Sequence, residues 1–120
     1  MIPQRGHSHR AERVADVIRR ELGMLLERAV KDPRVGFVTV TRVEVTRDLR
    51  TARVAVTILG DRSQEKKSLA GLVAAQGFLR HELGQRLGLR YTPELEFHLD
   101  QSLESESRVE ELLRQMREKS

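Results

Sequence analysis

The 120-residue sequence contains no cysteine and no tryptophan, and few aromatic residues of any kind. Without cysteine, the chain can form no disulfide, no thiolate nucleophile and no cysteine-ligated zinc site. Its four aromatic residues are Phe37, Phe78, Tyr91 and Phe97. So few rings argue against a platform of several stacked aromatics for single-stranded nucleic acid.

The sequence also lacks long apolar runs and the motifs of several enzyme classes. No stretch approaches the length of a membrane span. No apolar segment follows the basic N-terminus, as a secretory signal requires, and this predicts a cytoplasmic protein. The motifs G-x-S-x-G and G-x-x-x-x-G-K-[ST] and paired catalytic carboxylates are absent. His7-x-His9 offers two ligands, too few for a metal site. We therefore expect a protein that is not an enzyme and needs no cofactor, metal or membrane.

Positive charge is concentrated in the first three quarters of the chain. Lys and Arg number 22 against 18 Asp and Glu, a formal net charge of +4. Residues 1–90 hold 18 basic and 10 acidic side chains, a net charge of +8, whereas residues 91–120 hold 4 and 8, a net charge of −4. This excess favours a polyanionic partner such as nucleic acid, with salt-sensitive binding. An ordinary solvated surface is the alternative interpretation.

Apolar periodicity predicts a helix followed by a β-hairpin. Over residues 8–31, apolar side chains recur at steps of three and four, which is typical of an amphipathic helix. Residues 37–46 and 51–59 are rich in β-branched side chains and predict two strands joined by a short turn. The alternation within the first strand changes phase, and this predicts a β-bulge near Thr41–Arg42.

Two helices and a third strand follow the hairpin. Helical patterns over residues 61–75 and 77–87 are separated by a break at Ala75-Gln76-Gly77, and a strand covers residues 94–100. About 35 residues link the second and third strands, enough for a helical crossover, and we expect the third strand to lie parallel to the first. The predicted fold class is α+β, in the order α-β-β-α-kink-α-β, with a three-stranded mixed sheet and helices on one face.

Two terminal segments flank this domain, which we place at residues 8–100. Residues 1–7 form a basic arm that we expect to be flexible. Residues 101–120 predict an acidic helix or flexible tail, because Ser107 and Glu110 have the spacing of a capping box. The apolar edge of this helix consists of Val109, Leu112, Leu113 and Met116.

The break at Ala75-Gln76-Gly77 is the most informative candidate site. A helix that begins at or just after Gly77 directs unpaired backbone N–H groups outward, and such a terminus attracts phosphate. Gly77 would let a sugar–phosphate chain approach the backbone closely, and Arg80 would add a charged fork. Alternatively, Gly77 only allows one helix to pack closely on another.

Further basic residues extend this candidate RNA-binding surface. The break itself consists of Ala75, Gln76 and Gly77. The basic residues near it are Lys66, Lys67, Arg80, Arg86 and Arg90. A second group around the hairpin consists of Arg34, Arg42, Arg47, Arg50 and Arg53. Arg5 and Arg10 add positive charge at the N-terminal arm and at its junction with the first helix.

Ordered motifs give the chain a resemblance to a known bacterial family. They are Asp32-Pro33-Arg34-Val35, the run from Val40 to Leu49, Leu59-Gly60-Asp61, Ala75-x-Gly77-Phe78-Leu79-Arg80 and Leu89-Arg90-x-x-Pro93-Glu94-Leu95-x-Phe97. In this order, over residues 8–113, the chain resembles ribosome-binding factor A, a family of small-subunit assembly proteins.

The resemblance implies a type II KH-like fold in which an Ala-x-Gly kink replaces the Gly-x-x-Gly loop of ordinary KH domains. It implies a cytoplasmic factor that binds the immature 30S subunit, recognises folded rRNA by shape and phosphates, and assists processing of the 5′ end of 16S rRNA. It also implies support of growth in the cold, departure before translation starts, and release linked to a GTPase. No sequence feature requires a dimer, so we expect a monomer.

A second function remains open on the sequence. The acidic C-terminal helix could instead make the protein an interaction module that docks on ribosomal proteins or on another factor.

Overall fold

The computed structural model describes residues 9–28, 34–100, 110–111 and 113–118. Its elements are α1 (His9–Arg28), β1 (Val38–Val45), β2 (Thr51–Ile58), α2 (Arg62–Ala74), α3 (Gln76–Leu87) and β3 (Glu94–Leu99). This order confirms the predicted α+β fold class. Residues 110–111 and 113–118 are helical as well, in the segment where a C-terminal helix is predicted. The predicted arm at residues 1–7 lies outside the described residues.

α1 forms because its apolar side chains repeat on one face and its charged side chains on the other. Its stripe of Ala11, Val14, Ile18, Leu22 and Leu25 is buried, with Ile18 and Leu22 fully inaccessible. Full burial of one large aliphatic side chain contributes about 1.5–3 kcal/mol. The stripe therefore holds α1 against β1 and α3, which are the elements it contacts most.

β1 and β2 form the predicted antiparallel hairpin, with a register shift between Val40 and Arg42. The shift lets Val40, Val43 and Val45 all face the core, where each is less than one tenth exposed. Strict alternation would instead send Val43 and Val45 to the opposite face of the sheet. The predicted β-bulge is confirmed.

β3 completes a mixed sheet in the order β1-β2-β3. It pairs in parallel with β2, from Thr51 opposite Glu94 to Val56 opposite Leu99. The prediction that the third strand lies parallel to the first is wrong. β1 and β2 are antiparallel, and the crossover through α2 and α3 aligns β3 with β2. As a result, the loop before β3 lies beside the β1–β2 turn, where the Glu94 N–H donates to the Arg50 carbonyl over 2.9 Å.

The helices cover one face of the sheet, and the core lies between the two layers. The largest fully buried apolar side chains of the sheet and of the two later helices are Val54, Val56, Leu95, Leu72, Leu79 and Leu83. The opposite face of the sheet carries charged side chains, among which Arg53 Nε lies 3.8 Å from Glu96 Oε1. Both side chains of that pair are more than half exposed, so the ion pair adds little stability.

The turn between β2 and α2 depends on Gly60. Its φ of +132° is rarely adopted by residues with a side chain, and a Cβ there would lie 2.8 Å from the Cβ of Gln64. The next residue, Asp61, caps α2 by accepting the Gln64 N–H over 2.9 Å. Gly60 therefore sets the direction in which α2 leaves the sheet.

We expect Gly60→Ala to lower the free energy of unfolding by about 1–3 kcal/mol, because it combines backbone strain with steric overlap. Gly77→Ala is the matched control, since a Cβ at Gly77 would meet no described atom within 4 Å. Alanine in that helical position should raise the free energy of unfolding by up to about 1 kcal/mol. Urea denaturation measures both values, and equal effects would contradict the role of Gly60.

Candidate nucleic-acid interface

A single residue, Ala75, separates α2 from α3. The Ala75 N–H donates to the carbonyls of Gly71 and Leu72 at 2.9 and 3.1 Å, so it closes the last turn of α2. The Ala75 carbonyl accepts the Leu79 N–H over 2.9 Å and so opens α3. α3 begins at Gln76, one residue before the predicted start, and no described side chain caps it. An N-terminus without a side-chain cap offers backbone N–H groups to a ligand.

Gly77 lies on the exposed side of the first turn of α3. A Cβ at this position would meet no atom of the described residues within 4 Å. None of the described residues lies close enough to require a glycine here, so the alternative that Gly77 serves close helix packing is wrong. Close approach occurs instead at Gly84, where a Cβ would lie 2.7 Å from Oγ1 of Thr92. Gly77 has the open space that the predicted approach of a sugar–phosphate chain requires.

A groove, here named the kink groove, runs from Gly77 along α3 to the loop before β3. Its lining residues are Gly77, Arg80, His81, Gly84, Gln85, Arg90, Tyr91 and Thr92. α3 supplies one wall and the loop supplies the other. The absence of a side chain at Gly84 allows the loop to approach α3 this closely.

Arg80 connects the two walls of the kink groove. Its Nε donates to the Thr92 carbonyl over 3.0 Å. Its guanidinium carbon lies over the Tyr91 ring, 5.1 Å from the ring centroid, which is a cation–π arrangement. The sequence predicts Arg80 as a charged fork for phosphate. In the structure one of its donors is already used within the protein, while its positive charge lies at the groove.

A second surface, here named the kink face, continues from the groove along α2. Its exposed residues recur at steps of three and four across the break: Ser63, Lys66, Lys67, Ala70, Val73, Ala74, Gly77 and Phe78. Lys66 and Lys67 supply positive charge. Val73 and Phe78 remain 54% and 45% exposed. The kink face thus joins two amines and some apolar surface to the groove.

Arg86 and Arg90, both predicted to bind RNA, differ in their surroundings. Arg90 is exposed and lines the kink groove. Arg86 Nη1 lies 3.3 Å from Glu21 Oε1, and this ion pair links α3 to α1. Arg90 is therefore the better placed of the two for a ligand in the groove.

The candidates around the hairpin and the N-terminus do not line the kink groove. Arg42 lies on the outer face of the sheet, away from the helices, beside Arg53. Arg34 precedes β1, and its carbonyl accepts side-chain hydrogen bonds from α2. Arg10 is exposed in the first turn of α1, and Arg5 lies outside the described residues.

His81 and Gln85 lie one helical turn apart on the α3 wall of the kink groove. His81 Nε2 lies 3.2 Å from the side-chain nitrogen of Gln85. Within the described ranges, no three His, Asp or Glu side chains converge on a metal position.

The lowered pKa of the Asp48 carboxyl arises in the β1–β2 turn, from hydrogen bonds donated by the Thr46 hydroxyl and the Arg50 N–H. None of the described helices is long and apolar enough to cross a membrane.

Comparison with known proteins decides the family. A family model described as ribosome-binding factor A matches residues 10–113. The chain belongs to the ribosome-binding factor A family. A curated ribosome-binding factor A from Brevibacillus brevis is 50% identical over 107 residues, which cover 89% of this chain and 88% of that protein. The ribosome-binding factor A family consists of ribosome-binding factors and not of enzymes, in agreement with the prediction.

Structures of ribosome-binding factor A share the fold. The crystal structure from Thermus thermophilus aligns with a TM-score of 0.67 at 26% identity, covering 74% of this chain and 93% of that chain. A Thermus thermophilus homology model fitted into the cryo-EM map of a 30S–RbfA complex aligns with a TM-score of 0.60 at 27% identity, covering 70% and 88%. This likeness agrees with the KH-like arrangement that the resemblance implies.

Tyr91 is one of five residues of the kink groove that are absent from the sequence-predicted candidates, together with His81, Gly84, Gln85 and Thr92. The predicted RNA-binding residues include its neighbour Arg90, whereas Tyr91 is noted only as one of the four aromatic residues. A signal was present in the sequence, because Tyr91 lies between Gly88, which follows the last residue of α3, and Pro93, and connecting loops of this kind lie on the surface. Its contact with Arg80 depends on how the loop folds back along α3.

Proposed function

We propose that this protein binds the immature small ribosomal subunit through the kink groove and the kink face, and that it holds 16S rRNA in one conformation during assembly. Membership of the family supports the proposal. A second support is the Thermus thermophilus ribosome-binding factor A fitted into a complex with the 30S subunit. The observation that carries it is the start of α3, where open space beside Gly77 adjoins the positive charges of the groove.

Several donors at this place suit phosphate oxygens. The first backbone N–H groups of α3 carry the positive end of the helix dipole, which favours an anion. Arg90 adds a guanidinium within the groove, and Lys66 and Lys67 add amines along the kink face. Contacts of this kind fix the position of a folded RNA without reading its bases. The positive groups that make them belong to residues 1–90, a segment with 18 basic and 10 acidic residues and a net charge of +8.

Binding alone is sufficient for a role in assembly. A protein that binds one conformer of the precursor rRNA more tightly shifts the population toward that conformer. We propose that the favoured conformer is the one in which the 5′ end of 16S rRNA can be processed, and that this help supports growth in the cold. The sequence has no phosphate-binding loop of the GTPase type. We propose that release before translation is linked to a separate GTPase, as the family resemblance implies, and that the protein acts as a cytoplasmic monomer.

Crosslinking on purified precursor 30S subunits tests the proposal, with each contact mapped to both residue and nucleotide. A photoreactive residue in place of Gln76 or Lys67 is expected to crosslink to 16S rRNA. The same residue in place of Arg53, on the outer face of the sheet, serves as the control and should crosslink less. Contacts confined to the outer face would contradict the proposed surface.

Docking through the C-terminal helix is the second candidate function. Leu113 and Met116 are 42% and 39% exposed on a helix that also carries Glu110 and Glu111. A partner protein could contact this apolar edge. Truncation after Asp100 separates the two functions. We expect the truncated protein to keep most of its affinity for precursor subunits, whereas complete loss would favour docking.

A further inference from the structure

Three of the four aromatic rings are exposed, and all four lie in described residues. Phe97 is buried at 9% exposure, whereas Phe37, Phe78 and Tyr91 are 60%, 45% and 47% exposed. Exposure of a single ring is common and carries no meaning by itself. Tyr91 is distinguished by its position in the kink groove, next to the proposed phosphate contacts.

The Tyr91 ring is held in place before any ligand binds. The Arg80 guanidinium lies over the ring at 5.1 Å from its centroid, and Arg80 is itself anchored to the Thr92 carbonyl at 3.0 Å. After Thr92 the chain is fixed by Pro93, which is fully buried, and by the hydrogen bond from Glu94 to the β1–β2 turn. A ring fixed in this way loses little conformational entropy when a ligand stacks on it.

The charges around Tyr91 select among the ligands that could stack on it. Arg80 and Arg90 line the same groove, and their charge disfavours a cationic side chain of another protein. A nucleobase is uncharged and flat, and it is attached to a phosphate that these two arginines attract. Aromatic side chains stack on bases of any sequence, because every base has a π-face.

We infer that Tyr91 stacks with one unpaired nucleobase of the bound RNA, on the part of the ring that Arg80 leaves exposed. The inference rests on the proposed function and extends it, because the phosphate contacts near Gly77 are then joined by one base contact. It agrees with the scarcity of aromatic residues, since a single ring accommodates a single base. The RNA segment in the groove is accordingly single-stranded at this nucleotide.

The sequence provides a specific reporter for this contact. Tyr91 is the single tyrosine of the chain, and no tryptophan is present, so ¹³C-labelled tyrosine gives ring signals in the NMR spectrum that belong to Tyr91 alone. The full-length protein is titrated with a short single-stranded oligoadenylate. A stacked adenine should move the Tyr91 ring signals upfield through its ring current. An oligomer of equal length, with the same phosphates but no bases, should bind without this shift.

Substitutions test the same contact by affinity. Tyr91→Ser should weaken oligoadenylate binding about tenfold, within the range that base–aromatic stacking supplies, and should leave binding of the abasic oligomer unchanged. Tyr91→Phe keeps the ring and should retain the affinity for oligoadenylate. Phe37→Ser removes an exposed ring that lies outside the kink groove and should change neither affinity.

The outcomes separate this inference from the proposed function. If both oligomers bind equally well and neither moves the Tyr91 signals, the base contact is overturned while phosphate binding stands. An equal loss of both affinities in Tyr91→Ser also overturns it, since Tyr91 would then act only by positioning Arg80. If neither oligomer binds, the base contact is overturned, and the crosslinking on precursor 30S subunits then decides the proposed function by itself.

Discussion

Gly77→Val is expected to weaken binding to precursor 30S subunits about tenfold to a hundredfold, while the protein remains folded. The valine side chain would occupy the open space beside the start of α3, where we propose that a sugar–phosphate chain approaches the backbone. Within the described residues this space contains no protein atom within 4 Å of an added Cβ. The substitution therefore has little to disturb except a ligand, and valine is no worse than glycine in a helix.

Gly23→Val is the matched control for this experiment. Gly23 also lies within a helix, α1, and an added Cβ there likewise meets no described atom within 4 Å. The two variants share the same change in size and in helix propensity but only one lies at the kink groove. Affinity is measured by sedimentation with precursor subunits, and stability by urea denaturation. Equal affinities of the two variants would show that RNA does not approach α3 at Gly77.

Lys66→Glu combined with Lys67→Glu is expected to weaken binding at low salt by about a hundredfold or more, because two attractive contacts become repulsive. The unaltered protein should show a steep fall of affinity with salt, since each neutralised phosphate releases counterions. Removing two phosphate contacts should flatten the slope of log affinity against log salt by about two units. Binding titrations over a range of potassium chloride concentrations measure both effects.

Arg114→Glu combined with Arg117→Glu changes the net charge by the same amount at the exposed C-terminal helix. We expect this control to leave the slope of log affinity against log salt nearly unchanged. A charge change away from the proposed interface alters only the long-range steering of association and removes no phosphate contact. A larger effect in the control than in the lysine variant would favour docking through the C-terminal helix. A flat salt dependence of the unaltered protein would contradict phosphate recognition altogether.

Local patterns in the sequence were sufficient to predict most of the fold. The phase change between Val40 and Val43 revealed the β-bulge, because inward and outward positions of a strand follow from alternation alone. The stripe of α1 and the break near Ala75 follow equally from spacing within a few residues. The partner of β3 did not follow from such patterns. A long helical crossover is compatible with either neighbour, and the direction of β3 relative to β1 depends on which strand it joins.

The candidate site was predictable in its centre and not in its walls. Ala75, Gln76 and Gly77 interrupt a helical pattern and are visible in the sequence as a break. Whether a glycine is needed for packing depends on what lies opposite, and the sequence does not distinguish Gly77 from Gly84. Contacts between residues far apart in the chain, such as Arg86 with Glu21 at a separation of 65 residues, determine which arginines remain available to a ligand.

The parallel pairing of β2 with β3 also determines how the chain folds as it is synthesised. The β1–β2 hairpin depends on neighbouring residues and can form early. The central strand then keeps one edge without a partner until α2, α3 and finally β3 have been made. Closing this long connection carries an entropic cost and comes last. Until translation has passed Leu99, the nascent chain exposes a strand edge of the kind that promotes aggregation.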